Sequence, residues 1–237
     1  MLQGRPSVIF DLDGTLADTS ADLLAAANAC FRAMGAGEPL GPGDALVAFH
    51  GGKAMLRAGF ARLGREEDEA GIDRWYLRLL EAYDGALSVH TRLYPGAAKA
   101  LGRLQGAGYA LAVCTNKPAG LADRLLRELG LRDLFVALVG GDTLAVRKPD
   151  PAPLRLAIEQ AGGAPSCSMI LGDTASDLGA GRAAGVPVAL VTFGPEGRAI
   201  GRLGPEAMLD SFDDLPAVAR RLVGEPRGAA RRAAGRT

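Results

Sequence analysis

Three cysteines in 237 residues, Cys30, Cys114 and Cys167, lie far apart with no Cys-x-x-Cys pair. An odd, scattered set argues against both a disulfide framework and a thiolate-held metal, and reads as reduced thiols in a cytoplasmic protein. Net charge is also lacking: 27 basic residues balance 27 acidic ones. No global field recruits nucleic acid or an anionic membrane, so a charged substrate has to be caught locally. No apolar run approaches the ~18 residues of a membrane span, and the N-terminus carries no cationic stretch followed by an apolar one, which again points to the cytoplasm. What the chain does have is 48% apolar residues, ordinary for a core-forming protein of one large or two small domains. Glycine, at 33 residues, is roughly twice its usual ~7% and reads as compositional bias.

Apolar runs of strand length recur at "SVIF" (Ser7 to Phe10), "YALAVC" (Tyr109 to Cys114), "LFVALV" (Leu134 to Val139), "SMILG" (Ser168 to Gly172) and "VPVALV" (Val186 to Val191). Successive apolar positions suit strands covered on both faces. Helical patterns start between them at Gly96, Pro118, Pro151 and Ala175, with glycine stops and an Asp150-Pro151 start. Strand and helix in repeated alternation predict an α/β fold, a doubly wound, Rossmann-like parallel sheet. Residues 18–91 break the rhythm with helical stretches alone: Ala21 to Met34, Asp44 to Gly64 and Asp73 to Leu87. They are expected to form an inserted α-helical cap above the strand ends, with residues 1–17 and 92–224 as the core. The Arg-rich segment 225–237 reads as a flexible tail. Its arginines lack the aromatic interleaving of a nucleic-acid surface.

Ligands of a parallel α/β sheet bind beyond the carboxyl ends of its strands. The first run ends in Asp11 and Asp13, "YALAVC" ends in Thr115, Asn116 and Lys117, Lys148 follows "LFVALV", and "SMILG" ends in Asp173 with Asp177 four residues on. Singly, each has a bland reading: Asp13-Gly14 as a turn, Thr115 and Lys148 as surface residues, Asp177 as a favourable charge in a first helical turn. Together they point to phosphoryl transfer. A carboxylate ~4 Å from a phosphate dianion is repelled by about 8 kcal/mol at an effective dielectric of roughly 20, so a carboxylate nucleophile needs cations beside it. Magnesium takes oxygen ligands and leaves positions for substrate and water. It suits the carboxylates of Asp11 and Asp173 together with a backbone carbonyl. Those two acids and a phosphate dianion sum to −4, which magnesium and Lys148 reduce to −1.

Four motifs in order, "DLDGT" at Asp11, Thr115 at a strand end, Lys148 in "RKPDPAPL" and "GDTASD" at Asp173 and Asp177, resemble those of the haloacid dehalogenase-like hydrolase superfamily over nearly the whole chain. Within it, "TNKP", "GGDTL", "KPDP" and "DSFDDLP" are most similar to the phosphoglycolate phosphatase group, which carries a helical cap after the first motif. The resemblance implies that Asp11 attacks phosphorus to form an aspartyl phosphate, and that Asp13 protonates the leaving alkoxide and then activates water. It further implies magnesium held by Asp11, Asp13 and Asp173, phosphate held by Thr115, the amide of Asn116 and Lys148, and Asp177 orienting Lys148 or a metal-bound water from behind. Alternate residues at an extended strand end point the same way, so the i, i+2 spacing lets both acids reach one phosphoryl group, with Leu12 turned into the core. Gly14 would form the tight turn, and Thr15 would bond the backbone nearby.

The same resemblance implies 2-phosphoglycolate as substrate, with Lys53 or Arg57 of the cap as partner for its carboxylate and His50 in the same cluster. The chain departs from the group at "HGGKA" and at "FGPEGRAIGRLG", where specificity would be read, so sugar phosphates, nucleotides and pyrophosphate stay open. Dehalogenases and phosphonate-cleaving relatives lack an acid at the position of Asp13. A phosphosugar mutase keeps it, but tends to carry adjacent acids in the fourth motif. A signalling receiver domain uses similar residues in about half this length and without a cap; an idle binding module would lack one of the required groups, and none is missing.

Overall fold

The computed structural model describes residues 4–226, so the segment beyond Pro226, which holds most of the expected tail, lies outside the described residues. One compact unit comprises the described residues up to Leu16 and from Leu93 onward; the other is Ala17–Arg92.

In the first unit six strands form one parallel sheet. In chain order the strands are β1 (Ser7–Phe10), β2 (Ala17–Asp18), β3 (Arg92–Leu93), β4 (Ala110–Cys114), β5 (Ala137–Val139), β6 (Ser168–Gly172), β7 (Val188–Val191) and β8 (Ala207–Leu209). The sheet order is β5-β4-β1-β6-β7-β8, with every pairing parallel, while the two-residue β2 and β3 pair with each other. The helices are α1 (Ser20–Ala33), α2 (Ala45–Phe49), α3 (Gly52–Arg62), α4 (Glu69–Gly85), α5 (Ala97–Ala107), α6 (Ala119–Glu128), α7 (Pro151–Gln160), α8 (Ala175–Ala184) and α9 (Leu215–Val223). Helices α7 and α8 pack against the sheet together, with Leu154, Ala157, Ile158 and Leu178 meeting Ile9, Ala112, Cys114 and Ile170; α5 and α9, themselves in contact, pack on β4 and β6. This covering of both faces is why every residue of β1, β4, β6 and β7 is buried. The chain forms the expected doubly wound sheet with a helical insertion.

Beyond the unforeseen two-residue β2 and β3, three elements differ from the sequence expectation. The run from Leu134 yields a strand only from Ala137, because Arg132–Leu134 is a 3-10 turn and the Arg132 guanidinium takes the Phe135 carbonyl at 2.8 Å. Strand β8 is only three apolar residues, too short a run to announce a strand, and leaves Met208 39% exposed at the sheet edge. The helical stretch from Asp44 to Gly64 is two helices, interrupted at His50 and Gly51. In the helical unit α1, α3 and α4 share a core of Phe31, Met55, Leu56, Phe60, Ile72, Leu79 and Tyr83, with Phe31 and Phe60 edge to face at 5.2 Å. Buried Asp22 of α1 accepts hydrogen bonds from the backbone N–H groups of His90 and Thr91 and from the Thr91 hydroxyl, at 2.8–3.0 Å.

Candidate active site

Phe10 is level with Val113 of β4 and Leu171 of β6, so the residues just past three adjacent strands emerge at one edge. The ladder runs one residue further: the Asp11 N–H reaches the Leu171 carbonyl at 2.9 Å and the Thr115 N–H reaches that of Val139 at 3.0 Å. Those two backbones are therefore held as firmly as the sheet. Past Asp11 the chain folds over, with Thr15 and Leu16 bonding back to the Leu12 carbonyl and Gly14 at φ 80°. A side chain is strained in that left-handed conformation, so glycine forms this turn. Leu12 is fully buried.

Lys148 is the centre of the first cluster. Its side chain is 1% exposed, and its ammonium meets Asp177 Oδ1 at 2.6 Å, the Cys114 carbonyl at 2.7 Å and Asp11 Oδ2 at 3.1 Å. Two of these contacts are hydrogen bonds and the third, to Asp11, is an ion pair. Burial alone would push the lysine's pKa down; the charges of Asp11 and Asp177 outweigh it and raise it above the ordinary value. Asp177 does two things at once. Besides gripping Lys148, its Oδ2 accepts from Thr174 N and Oγ1, at 3.1 and 2.7 Å, in a capping box at the start of α8. One carboxylate thus both meets Lys148 and caps α8. Cys114 lies in the core, its thiol pushed up to about 12 by burial.

Asp13 belongs to a second pair. Lys117 Nζ contacts both of its carboxylate oxygens, at 3.0 and 3.1 Å, and the lysine side chain is 3% exposed. The sequence placed Lys117 at a strand end without assigning it a role. A lysine two residues past the strand-end Thr115 was the available signal. Two further outcomes revise the expectations. Thr15 bonds no nearby backbone through its hydroxyl, which donates instead to Asp173 Oδ1 at 2.7 Å, tying the first strand end to the third. The Asn116 side-chain amide is committed to the Lys148 backbone, donating to its carbonyl at 3.0 Å and accepting its N–H at 3.1 Å. One proton of that amide is thereby spent, so a hold by Asn116 on a phosphate would come from its other amide proton or its main chain. Thr115 Oγ1 accepts the Lys117 N–H at 3.2 Å and keeps its own proton to donate.

The carboxylates that converge are Asp11, Asp173 and Asp177, all buried, with one oxygen from each within 4.8 Å of the others. The Asp13 side chain is outside this group. Burial pushes the Asp11 carboxyl up to about 6, against the lowering pull of Lys148. Burial, then the charges of Asp11 and Asp177, push Asp173 well above the usual carboxylate range. Asp173 Oδ2 is buried with no hydrogen-bond partner. An oxygen-only donor set, a surplus of negative charge and an orphaned carboxylate oxygen fit a hard divalent cation. Asp173 is the clearest donor, through its unpartnered Oδ2; Asp11 Oδ1 accepts the Leu12 N–H at 2.7 Å while its Oδ2 faces Lys148, and both oxygens of Asp177 are engaged by Lys148 and the α8 cap. In the helical unit, Lys53 is ion-paired with Asp73, and Arg57 donates to both oxygens of Glu69 at 2.7–2.8 Å; His50 is exposed.

A parallel sheet with these four strand-end motifs defines a phosphoryl-transfer site, and the chain belongs to the haloacid dehalogenase-like hydrolases, whose family model matches residues 8–191. It is a phosphatase of that family. The chain is 38% identical over 220 residues to the phosphoglycolate phosphatase of Mesorhizobium japonicum, covering 92% of this chain and 97% of that protein. It is 40% identical over 226 residues to the phosphoglycolate phosphatase of Agrobacterium fabrum, covering 95% and 97%. Among solved structures, CbbY of Rhodobacter sphaeroides in complex with xylulose-1,5-bisphosphate is similar with a TM-score of 0.72 at 27% identity, covering 89% of this chain and 96% of that one. No helix among the described residues is long and apolar enough to cross a membrane.

Proposed function

We propose that this protein is a magnesium-dependent phosphomonoesterase that hydrolyses 2-phosphoglycolate to glycolate and phosphate, residues 18–91 forming its cap domain. The reaction class rests above all on Asp13, an acid two residues past Asp11 with its own ammonium partner. An ester oxygen needs a proton to leave, whereas a halide does not. The substrate rests on the names of the relatives that match over more than nine-tenths of the chain.

In the first step an Asp11 oxygen attacks phosphorus, the phosphorus–ester oxygen bond breaks, and Asp13 passes its proton to the departing alkoxide. In the second, water attacks the aspartyl phosphate, gives its proton to Asp13, and releases phosphate and the Asp11 carboxylate. Lys148 and the Thr115 hydroxyl offset charge on the phosphoryl oxygens, joined by the main chain at Asn116. Asp11, Asp173 and the main chain at Asp13 would hold magnesium, which supplies charge neutralisation to the nucleophile and phosphoryl group.

Phosphate release from a metabolite panel tests the reading, with kcat/KM expected to be highest for 2-phosphoglycolate. The panel includes sugar bisphosphates because CbbY is similar in fold and was solved with xylulose-1,5-bisphosphate. A clear preference for another ester replaces the substrate and keeps the chemistry. Interconversion of sugar phosphates without net phosphate release overturns the hydrolase.

A further inference from the structure

The two acids at the end of β1 are each met by a different lysine: Lys148 on Asp11 and Lys117 on Asp13. The Lys117 segment is built to stay in place. Its N–H bonds the Thr115 hydroxyl at 3.2 Å, its carbonyl accepts the Gly141 N–H at 2.8 Å, and the Asn116 side chain bolts the neighbouring residue to the backbone of Lys148. Gly141 leaves no freedom there, because a Cβ at that position would lie 2.2 Å from the Asn116 carbonyl oxygen. One loop therefore sets the height of both ammonium groups over the two carboxylates.

We propose that Lys117 is the positioning residue for Asp13, aiming its carboxyl at the ester oxygen of the substrate. The inference rests on the phosphomonoesterase reading above. A carboxyl on a short side chain at a turn samples several rotamers, and only one reaches the leaving oxygen. A nearly buried ammonium spanning both oxygens selects that rotamer before substrate arrives, as proton transfer requires a donor within hydrogen-bond reach. Lys148 is committed elsewhere, bonded to Asp177 and the Cys114 carbonyl and paired with Asp11.

The consequence is a dependence on the leaving group. Alkyl esters need the Asp13 proton when the phosphorus–oxygen bond breaks; p-nitrophenolate leaves unaided. In kcat/KM, which reports steps up to release of the alcohol, Lys117→Met is expected to lose ten- to hundredfold with 2-phosphoglycolate and β-glycerophosphate, and less than threefold with p-nitrophenyl phosphate. Lys117→Arg is expected to recover most of the alkyl-ester loss. A uniform loss on all three substrates, no loss on any, or a loss confined to 2-phosphoglycolate, which would mark a contact with its carboxylate, each overturns the inference. Thermal unfolding of each variant reports its folding; if Lys117→Met does not fold, Lys117→Gln carries the same comparison. Wild-type protein inactive on every ester overturns the functional reading itself, whereas active wild type with a uniform loss in the variant overturns the role of Lys117 alone.

Discussion

The α/β unit and the helical unit use the same kinds of ion pair for opposite ends. At the sheet edge the side chains of Lys148 and Lys117 are 1% and 3% exposed. In the helical unit the side chains of Lys53 and Arg57, facing Asp73 and Glu69, are 40% and 49% exposed. Exposed pairs gain little over hydration, while buried ones are expensive to break because the abandoned charge stays in a poor solvent. The helical unit can lose a pair and stay as it is. The sheet edge cannot, since its two lysines are buried against carboxylates that outnumber them.

The largest effect is expected where chemistry and stability part company. Asp11→Asn should abolish release of p-nitrophenolate, a loss of at least about 10³-fold, by removing the nucleophile. A rate near wild type would sink the mechanism. The same variant should unfold no more easily without metal, because burial already penalises the ionised Asp11 carboxyl. Lys148→Met is the converse: two buried carboxylates, Asp11 and Asp177, lose their shared cation, and stability at neutral pH should fall by about 3–5 kcal/mol. Thermal melts of the two variants side by side should show Asp11→Asn at or above wild type and Lys148→Met well below it.

A smaller effect follows from the raised carboxyls. With the Asp11 pKa at about 6 in the folded protein, against ~3.9 unfolded, the native state binds more protons between those values. Stability of the metal-free protein should therefore fall as pH rises from about 4 to 6, by on the order of 2–3 kcal/mol from Asp11, with Asp173 acting in the same direction. A cation at the carboxylates relieves that penalty only where they are ionised. Magnesium should thus raise Tm more at pH 7.5 than at pH 4.5. An equal rise at both would remove the carboxylate cluster as its site.

The contrast between the units also separates what could be read in the sequence from what could not. Runs such as "SVIF" and "SMILG" mark β1 and β6 to the residue, because strands covered on both faces are continuously apolar. In a parallel sheet their downstream ends converge, so Asp11, Thr115 and Asp173 were legible as one edge. Partnerships across long stretches of chain were not. Lys117 is 104 residues from Asp13, and Thr15 is 158 from Asp173; no local pattern encodes either pair. The break at Gly51 was hidden for the opposite reason, since the helical apolar pattern continues on both sides of it. Strand β8 failed to register because a run of three apolar residues is too short to stand out.

The smallest effect should come from the helical unit's cations. The resemblance had suggested Lys53 or Arg57 as partner for a substrate carboxylate, yet each already faces an acid on α4. A guanidinium taken from Glu69 to bind substrate leaves that glutamate unpaired, so the exchange gains little in water. Arg57→Ala and Lys53→Ala are expected to shift Tm by less than about 2 °C and to leave KM for 2-phosphoglycolate within about twofold. A rise in KM of tenfold or more in either variant, with kcat unchanged, would mean that the lysine or arginine abandons its acid for the substrate. The comparison between the units would then narrow to Lys148 and Lys117 alone.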